Sequence, residues 1–500
     1  MKGFLRKLTS RKIAAAINIL VQFVVIFLLV AYFENAFVYY YTISSILAML
    51  CCVYIINKSM NSGYKLAWLL LLLLLPMFGF TLFLMLEGSW YTKRTKRRML
   101  KITERIKDGL SQKSEVAFED GFAKKQSKYI EEFAYSPPVK NTRSKYFACG
   151  EEYFKSLLCD LERAEKSINL EYFIIKESRM WDEIKSILCK KAEQGVDVRV
   201  IYDDFGSIDK ISKKEIKHLL SKGVKIKPFN PFIPAISLLL NYRDHRKICT
   251  IDTKIAYSGG VNLGDEYINE ETRFGYWKDS GIALYGEGAY SLDVFFMTLW
   301  EYITKEKQSL VKPTYDVFDD GIYQPYTDSP IDNENVGATI YSNIISQAQK
   351  YVYISTPYFI VDDMMLKTIT NAAKSGVDVR IVVPRIPDKK VVNQATKSYY
   401  AQLIKAGVKV YEYARGFNHS KIVVSDDKIA TVGSVNFDFR SFYLSFECGI
   451  WMYNTPSVLD VLADYNSMIN ESIKISLEDC KVSPITRVFR ALIVAFAPLF

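Results

Sequence analysis

Two stretches of the chain, residues 245–262 (HRKICTIDTKIAYSGGVN) and 419–436 (HSKIVVSDDKIATVGSVN), carry residue types suited to phosphodiester chemistry at matching spacing. In each, Lys follows His by two residues, Asp follows Lys by five, Gly follows Asp by seven and Asn follows that Gly by three. The chain has three histidines, and two of them head these copies. The third, His218, sits on a Lys-rich helical stretch and reads as a solvated side chain.

A phosphodiester repels nucleophiles through its own charge, so a catalyst must hold fixed positive charge around the non-bridging oxygens. Lys247 and Lys421 supply it, one from each copy. Asn262 and Asn436 add neutral amide donors, and the small residues before them, Gly259, Gly260, Gly433 and Ser434, let backbone N–H groups come close. In a strand, side chains at i and i+2 share a face, so the His and Lys of each pair reach one site. One imidazole then attacks phosphorus while the other protonates the departing alkoxide, and acid and base exchange roles for the acceptor. The near-identity of the two copies leaves open which of His245 and His419 does which. Asp252 and Asp426 complete the catalytic set. Seven residues beyond their histidines, they would lie about 23 Å away along an extended strand, so they are expected to brace the motif. Downstream, DSGI and ECGI place Asp279 and Glu447 at matching positions, as carboxylates to orient the imidazoles.

The elements around these stretches are repeated as well. SINLEYFII (167–175) and YISTPYFIV (353–361) read as buried strands; GVDVRVIYD from Gly195 and GVDVRIVVP from Gly376 follow after a helix; GVKIKPF from Gly223 and GVKVYEY from Gly407 follow after another. Strand, helix, strand, helix, strand implies right-handed crossovers. The expectation is an α/β fold of two pseudo-symmetric halves, 140–312 and 336–480, with mostly parallel sheets and a linker over 313–335 rich in Asp, Pro, Gly and Tyr. The GVK segments lie 184 residues apart and the histidines 174, so the first half holds ten extra residues before His245, within the apolar stretch 229–241. That insertion reads equally as an entry for acyl chains or as an ordinary core helix.

Residues 1–90 read as a transmembrane anchor, because 13–33, 36–56 and 66–86 each run without a charge for long enough to cross a hydrocarbon core of about 30 Å. Residues 91–139 form a charged helical connector ending at Ser136-Pro137-Pro138, and 481–500 a basic, apolar tail. Basic residues precede the first span and follow the third, and an odd number of spans cannot put both of these flanks in the cytoplasm. The expected arrangement is a multi-pass protein of the cell membrane with a cytoplasmic catalytic part. A net charge of +10, from 65 basic and 55 acidic residues, fits an anionic lipid partner, and there is no basic groove of the kind nucleic acid needs. Eight scattered cysteines without a CxxC pair read as reduced structural thiols, and no metal site is expected.

The paired motifs identify the chain as resembling the phospholipase D superfamily. With KLAWLLLLLLLPMFGF (65–80), LEYFI (170–174), the YWKDSG stretch, STPYF (355–359), NFDFRSF (436–442) and the basic, apolar tail, it is similar end to end to the superfamily's bacterial cardiolipin synthases. That resemblance implies transfer of a phosphatidyl group between two phosphatidylglycerol molecules, giving cardiolipin and glycerol through a phosphohistidine, with no cofactor or metal. It makes His245 the nucleophile and His419 the acid and base. One departure from the family pattern is Ser445, in LSFE, where Asn is expected. Hydrolysis, transfer to another alcohol, or a membrane scaffold without catalysis are the alternative functions; the sequence gives no oligomeric state.

Overall fold

The computed structural model describes residues 34–86, 96–101, 103–104, 109–110, 116–231, 242–308, 311–315, 319–332 and 334–499, together with Leu20, Val24, Phe27 and Leu28. Contacts divide the chain into two compact units, an apolar helical unit and a larger α/β body running over 95–231 and 242–494.

In the helical unit, the helix Glu34–Asn57 contains Val38–Asn57, which is long and apolar enough to cross a membrane. At 1.5 Å per residue this stretch spans roughly 30 Å, which points to membrane attachment. It is the one such helix among the described residues, against three expected. The expected span 66–86 is two helices, Ser62–Leu74 and Pro76–Leu86. The break falls at Leu75, because Pro76 has no N–H to donate and disfavours helical geometry in the residue before it. The expected span 13–33 lies outside the described residues apart from four isolated positions, and the insertion before His245 lies almost wholly outside them.

The body has 20 strands among the described residues, 16 of them in one sheet and four in two separate two-stranded pairs. Its first half contributes β1 (Val139–Phe147), β2 (Ser167–Tyr172), β3 (Asp197–Asp203), β4 (Lys225–Phe229), β5 (Arg243–Asp244), β6 (Lys247–Ile251), β7 (Ile255–Gly259), β8 (Tyr276–Lys278) and β9 (Gly281–Gly286). After β10 (Asp319–Asp328) come β11 (Tyr351–Ser355), β12 (Phe359–Ile360), β13 (Asp378–Pro384), β14 (Lys409–Tyr413), β15 (Gly416–Asn418) and β16 (Ile422–Ser425). The last are β17 (Ile429–Gly433), β18 (Phe437–Asp438), β19 (Ser445–Tyr453) and β20 (Ser472–Lys474). The order β20-β14-β13-β11-β16-β17-β19-β10-β1-β9-β7-β6-β2-β3-β4 reads almost identically from both ends.

Along that path only β2–β3–β4 and β11–β13–β14 run parallel. The sheet is therefore mixed, not mostly parallel. Crossover helices such as Arg179–Glu193 and Asp363–Lys374 connect the parallel strands, with amphipathic faces that bury Trp181, Ile184 and Leu188, or Met365, Leu366 and Ile369. The motif strands instead turn back within three residues. Ile251 pairs with Ile255 and Ser425 with Ile429, and so short a connection permits only antiparallel neighbours. Asp252, Thr253, Asp426 and Asp427 take φ between 53° and 60° to make these turns.

The expected linker 313–335 holds β10, which lies in the middle of the sheet between β1 and β19 and joins the halves. Ile322, Tyr323 and Tyr326 on it are buried. Pro325 would normally exclude a central strand. Here β1 pairs with β10 only as far as Tyr323, so Pro325 has a strand partner on one side alone, Ile450 of β19.

Candidate active site

Each motif is docked onto the opposite half. β5 pairs with the start of β19, and the His245 N–H donates to Phe446 O at 2.9 Å. β15 pairs with β8, and the His419 N–H donates to Lys278 O at 2.7 Å. The side chains follow the same exchange. His245 Nδ1 lies 3.0 Å from both Glu447 carboxylate oxygens, and His419 Nδ1 lies 2.7 Å from Asp279 Oδ2. Each imidazole is thus oriented by a carboxylate from the other half, so neither motif is complete without its counterpart. With Nδ1–H donated to the carboxylate, each Nε2 is left for chemistry.

Lys247 and Lys421 are buried, and each Nζ donates to the carbonyl of its own histidine. Burial lowers Lys247 to about 8 against the pull of Glu447, and lowers Lys421 to about 7, with Lys247 adding repulsion. Two ammonium groups that repel in a dry site are relieved by an anion between them. His419 is pushed down to about 4 by burial and by Lys421, against the opposing field of Asp279. His245 falls well below its ordinary value through burial, Lys247 and Lys421. Both shifts favour the neutral imidazole in the free enzyme at neutral pH.

The two carboxylates are not equivalent. Burial pushes Glu447 up to about 7, although Lys247 and the Ser434 hydroxyl oppose it. Burial also acts on Asp279, but His419, Lys421 and the Ser280 N–H outweigh it and hold the group below the usual carboxylate range. The site therefore pairs His419 with a full negative charge and His245 with a partial one.

The remaining expected site residues fall elsewhere. Asp252 and Asp426 sit at the far ends of β6 and β16, away from the imidazoles. The Asp252 carboxylate accepts the N–H groups of Glu165, Lys166 and Ser167 at 2.6–2.9 Å, and that of Asp426 those of Gln349, Lys350 and Tyr351 at 2.7–2.9 Å. They tie the hairpin turn to the start of the neighbouring strand and do not reach substrate. Asp252→Ala or Asp426→Ala is expected to cost about 2–4 kcal/mol of stability, from three charge-assisted bonds partly replaced by water. Thermal unfolding should show a lowered midpoint, with activity per folded molecule retained.

Asn262 is engaged at both ends, accepting from Ile174 N–H and donating to Tyr267 Oη, so it braces a loop. Asn436 is buried, and its Oδ1 has no hydrogen-bond partner among the described residues. The small residues before them do not expose backbone donors as expected, because the Gly260 N–H donates to Ser280 O and the Ser434 N–H to Cys448 O, each at 2.9 Å. Their use is close packing: a Cβ on Gly260 would meet Asp279 Oδ1 at 2.1 Å. Gly260→Ala should displace Asp279 from His419 and lower kcat by about 100-fold or more, measurable in folded protein.

Several contributors escape the motif reading. Ser434 departs from the Gly-Gly of the first copy and uses its hydroxyl on Glu447 and on Cys448 N–H. Tyr267, Trp277 and Phe417 pack around His419 with ring centroids 5.2–5.8 Å away, and Phe173 lies 5.1 Å from His245. Trp277 and Phe417 stand two residues before Asp279 and His419, a same-face spacing that the strand period makes legible. Beneath His245, Arg246 bridges Glu171 at 2.6 Å and Asp244 at 3.2 Å. At the matching positions of the second half stand Ser355, Asn418 and Ser420, a neutral hydrogen-bonded set with Ser355 Oγ 2.7 Å from Ser420 Oγ and 2.8 Å from Asn418 Nδ2. Among the described residues, no cluster of His, Cys, Asp and Glu is arranged to hold a metal ion.

A family model described as "Cardiolipin synthase, PLD-like domain" matches residues 157–274 and 341–469, and one described as phospholipase D-nuclease N-terminal matches 46–87. An uncharacterized protein of Streptococcus mutans is 39% identical over 457 residues, covering 89% of this chain and 99% of that one. A cardiolipin synthase of Halalkalibacterium halodurans is 37% identical over 412 residues, covering 80% of this chain and 81% of the relative. A crystal structure of phosphatidylserine synthase from Haemophilus influenzae superposes with a TM-score of 0.55 at 13% identity, covering 74% of this chain and 97% of that one, which supports the fold. With two catalytic motifs interlocked in one site and relatives aligned over most of its length, the chain belongs to the cardiolipin synthase family of phospholipase D-like phosphatidyltransferases.

Proposed function

We propose that this protein moves a phosphatidyl group from one phosphatidylglycerol to another, forming cardiolipin and releasing glycerol. The observation that carries the reading is the crossed pairing of His245 with Glu447 and His419 with Asp279. The neutral His245 Nε2 attacks phosphorus and the bond to the headgroup glycerol breaks, while His419, which takes up a proton at Nε2 once the substrate's negative charge offsets the lysines, gives that proton to the departing oxygen. His419 then takes the proton from a hydroxyl of the second phosphatidylglycerol, whose oxygen attacks phosphorus and breaks the P–N bond. Lys247 and Lys421 hold the non-bridging oxygens through both steps. Asp279, the more fully charged carboxylate, suits the histidine that must become imidazolium, which favours His419 as the acid.

The same proposal sets the catalytic body on the cytoplasmic face, in keeping with Lys93, Arg94, Lys96, Arg97, Arg98 and Lys101 after the apolar segments, and reads the apolar stretches 13–33 and 66–86 as further crossings. The test is to supply purified protein with phosphatidylglycerol alone and separate the lipid products. Cardiolipin with one glycerol released per molecule is the expected result. Phosphatidic acid as the main product would replace transfer with hydrolysis.

A further inference from the structure

The helix Pro484–Phe496 is amphipathic in an unusual setting. Ile485, Val488, Phe489 and Leu492, at the i, i+3, i+4, i+7 spacing of one helical stripe, are 82%, 61%, 49% and 55% exposed. The face that packs inward is a different one, carrying Arg490 and the buried Ile493; Arg490 Nε donates to Gln394 Oε1 on the helix Lys390–Lys405 at 3.0 Å. An apolar stripe of four large side chains turned outward from a helix already docked by its other side calls for a second apolar environment.

Three further observations say what that environment is. The last 20 residues, 481–500, contain Lys481, Arg487 and Arg490 and no acidic residue, which suits an anionic surface. Next in the chain, Ala497–Leu499 packs on the apolar helix Ser62–Leu74. The helix that Arg490 grips carries the exposed Val391 and begins beside Lys389. Lys389 lies 5.0 Å over the ring of Tyr358, which packs on Phe417, the neighbour of His419.

We propose that Pro484–Phe496 is an interfacial helix lying in the plane of an anionic bilayer, with Ile485, Val488, Phe489 and Leu492 among the acyl chains. It provides the body with a membrane contact separate from the N-terminal apolar helix and connected to the active-site wall through Gln394 and Lys389. A lipid substrate that keeps its acyl chains in the bilayer then reaches the histidines without leaving it.

The full chain carrying Phe489→Trp, reconstituted in phosphatidylglycerol-containing bilayers, tests this. The fluorescence added relative to wild type should be quenched by bromo-acyl lipids and not by aqueous iodide. Quenching by iodide alone would put the stripe in water, and quenching by neither would mean that protein, from a second copy or another segment, covers it; either overturns the proposal. In parallel, Ile485→Asp with Leu492→Asp should lower turnover of vesicle substrate about tenfold and leave turnover of dispersed short-chain phosphatidylglycerol unchanged. Equal loss on both substrates would assign the helix to the stability of the body and contradict membrane docking. The quenching result does not depend on which phospholipid reaction the enzyme performs, so it stands apart from the proposed function.

Discussion

Replacement of His245 by Ala should abolish transfer, with kcat reduced by about 10⁴-fold or more, as for other enzymes that lose a covalent nucleophile. His419→Ala should cost a similar factor on phosphatidylglycerol, because the departing glycerol alkoxide is a poor leaving group without a proton. The two variants should separate on a phosphodiester with an activated aryl leaving group, which departs as a stable anion. There His419→Ala should recover much of the first step, visible as a burst of about one phenolate per enzyme, and His245→Ala should release none. A burst from His245→Ala and none from His419→Ala would reverse the roles. The structural basis is the unequal environment of two otherwise matched residues: His419 is 2.7 Å from a carboxylate held below its usual range, and His245 faces one pushed up to about 7.

That inequality also ranks the carboxylates. Asp279→Asn replaces a full buried charge by an amide that can present an N–H to His419 Nδ1, so the imidazolium loses its counter-charge and the ring its orientation. A fall in kcat of about 10³-fold is expected, with the fold retained by circular dichroism. Glu447→Gln exchanges a carboxyl that has already lost much of its charge at neutral pH, and the Ser434 hydroxyl still has an oxygen to donate to, so the loss should be nearer tenfold. Equal losses in the two variants would show that the charge difference has no part in catalysis.

The sequence made the chemistry legible because histidine is rare in this chain and because the two copies could be checked against each other residue by residue. His245, Lys247, His419 and Lys421 converge in one site, with Asp279 and Glu447 on the imidazoles. What was not legible is the exchange of partners, since a repeat shows that two halves are alike and not how they interlock; that depends on β5 pairing with β19 and β15 with β8, contacts between segments far apart in the chain. β10 was hidden for a local reason. Asp, Gly, Pro and Tyr in 313–335 look like a linker, and the sequence does not show that β1 stops short of Pro325, leaving it a strand partner on the β19 side alone. The strand pattern was read correctly where crossover helices force parallel neighbours and missed at the motif hairpins, whose turns rest on Asp252 and Asp426, residues with no glycine to announce them. In the uncharged run 66–86 the interruption at Pro76 and Gly79 is legible in the sequence, and the break between the two helices falls at Leu75, just before Pro76.

The most direct test of the crossed two-histidine site is to trap the covalent intermediate. Enzyme mixed for milliseconds with phosphatidylglycerol labelled at phosphorus and quenched in alkali, where phosphohistidine survives, should carry label on the peptide containing His245, with none in His245→Ala. Label on His419 would invert the mechanism, and a product-forming enzyme that never acquires label on either histidine would contradict it.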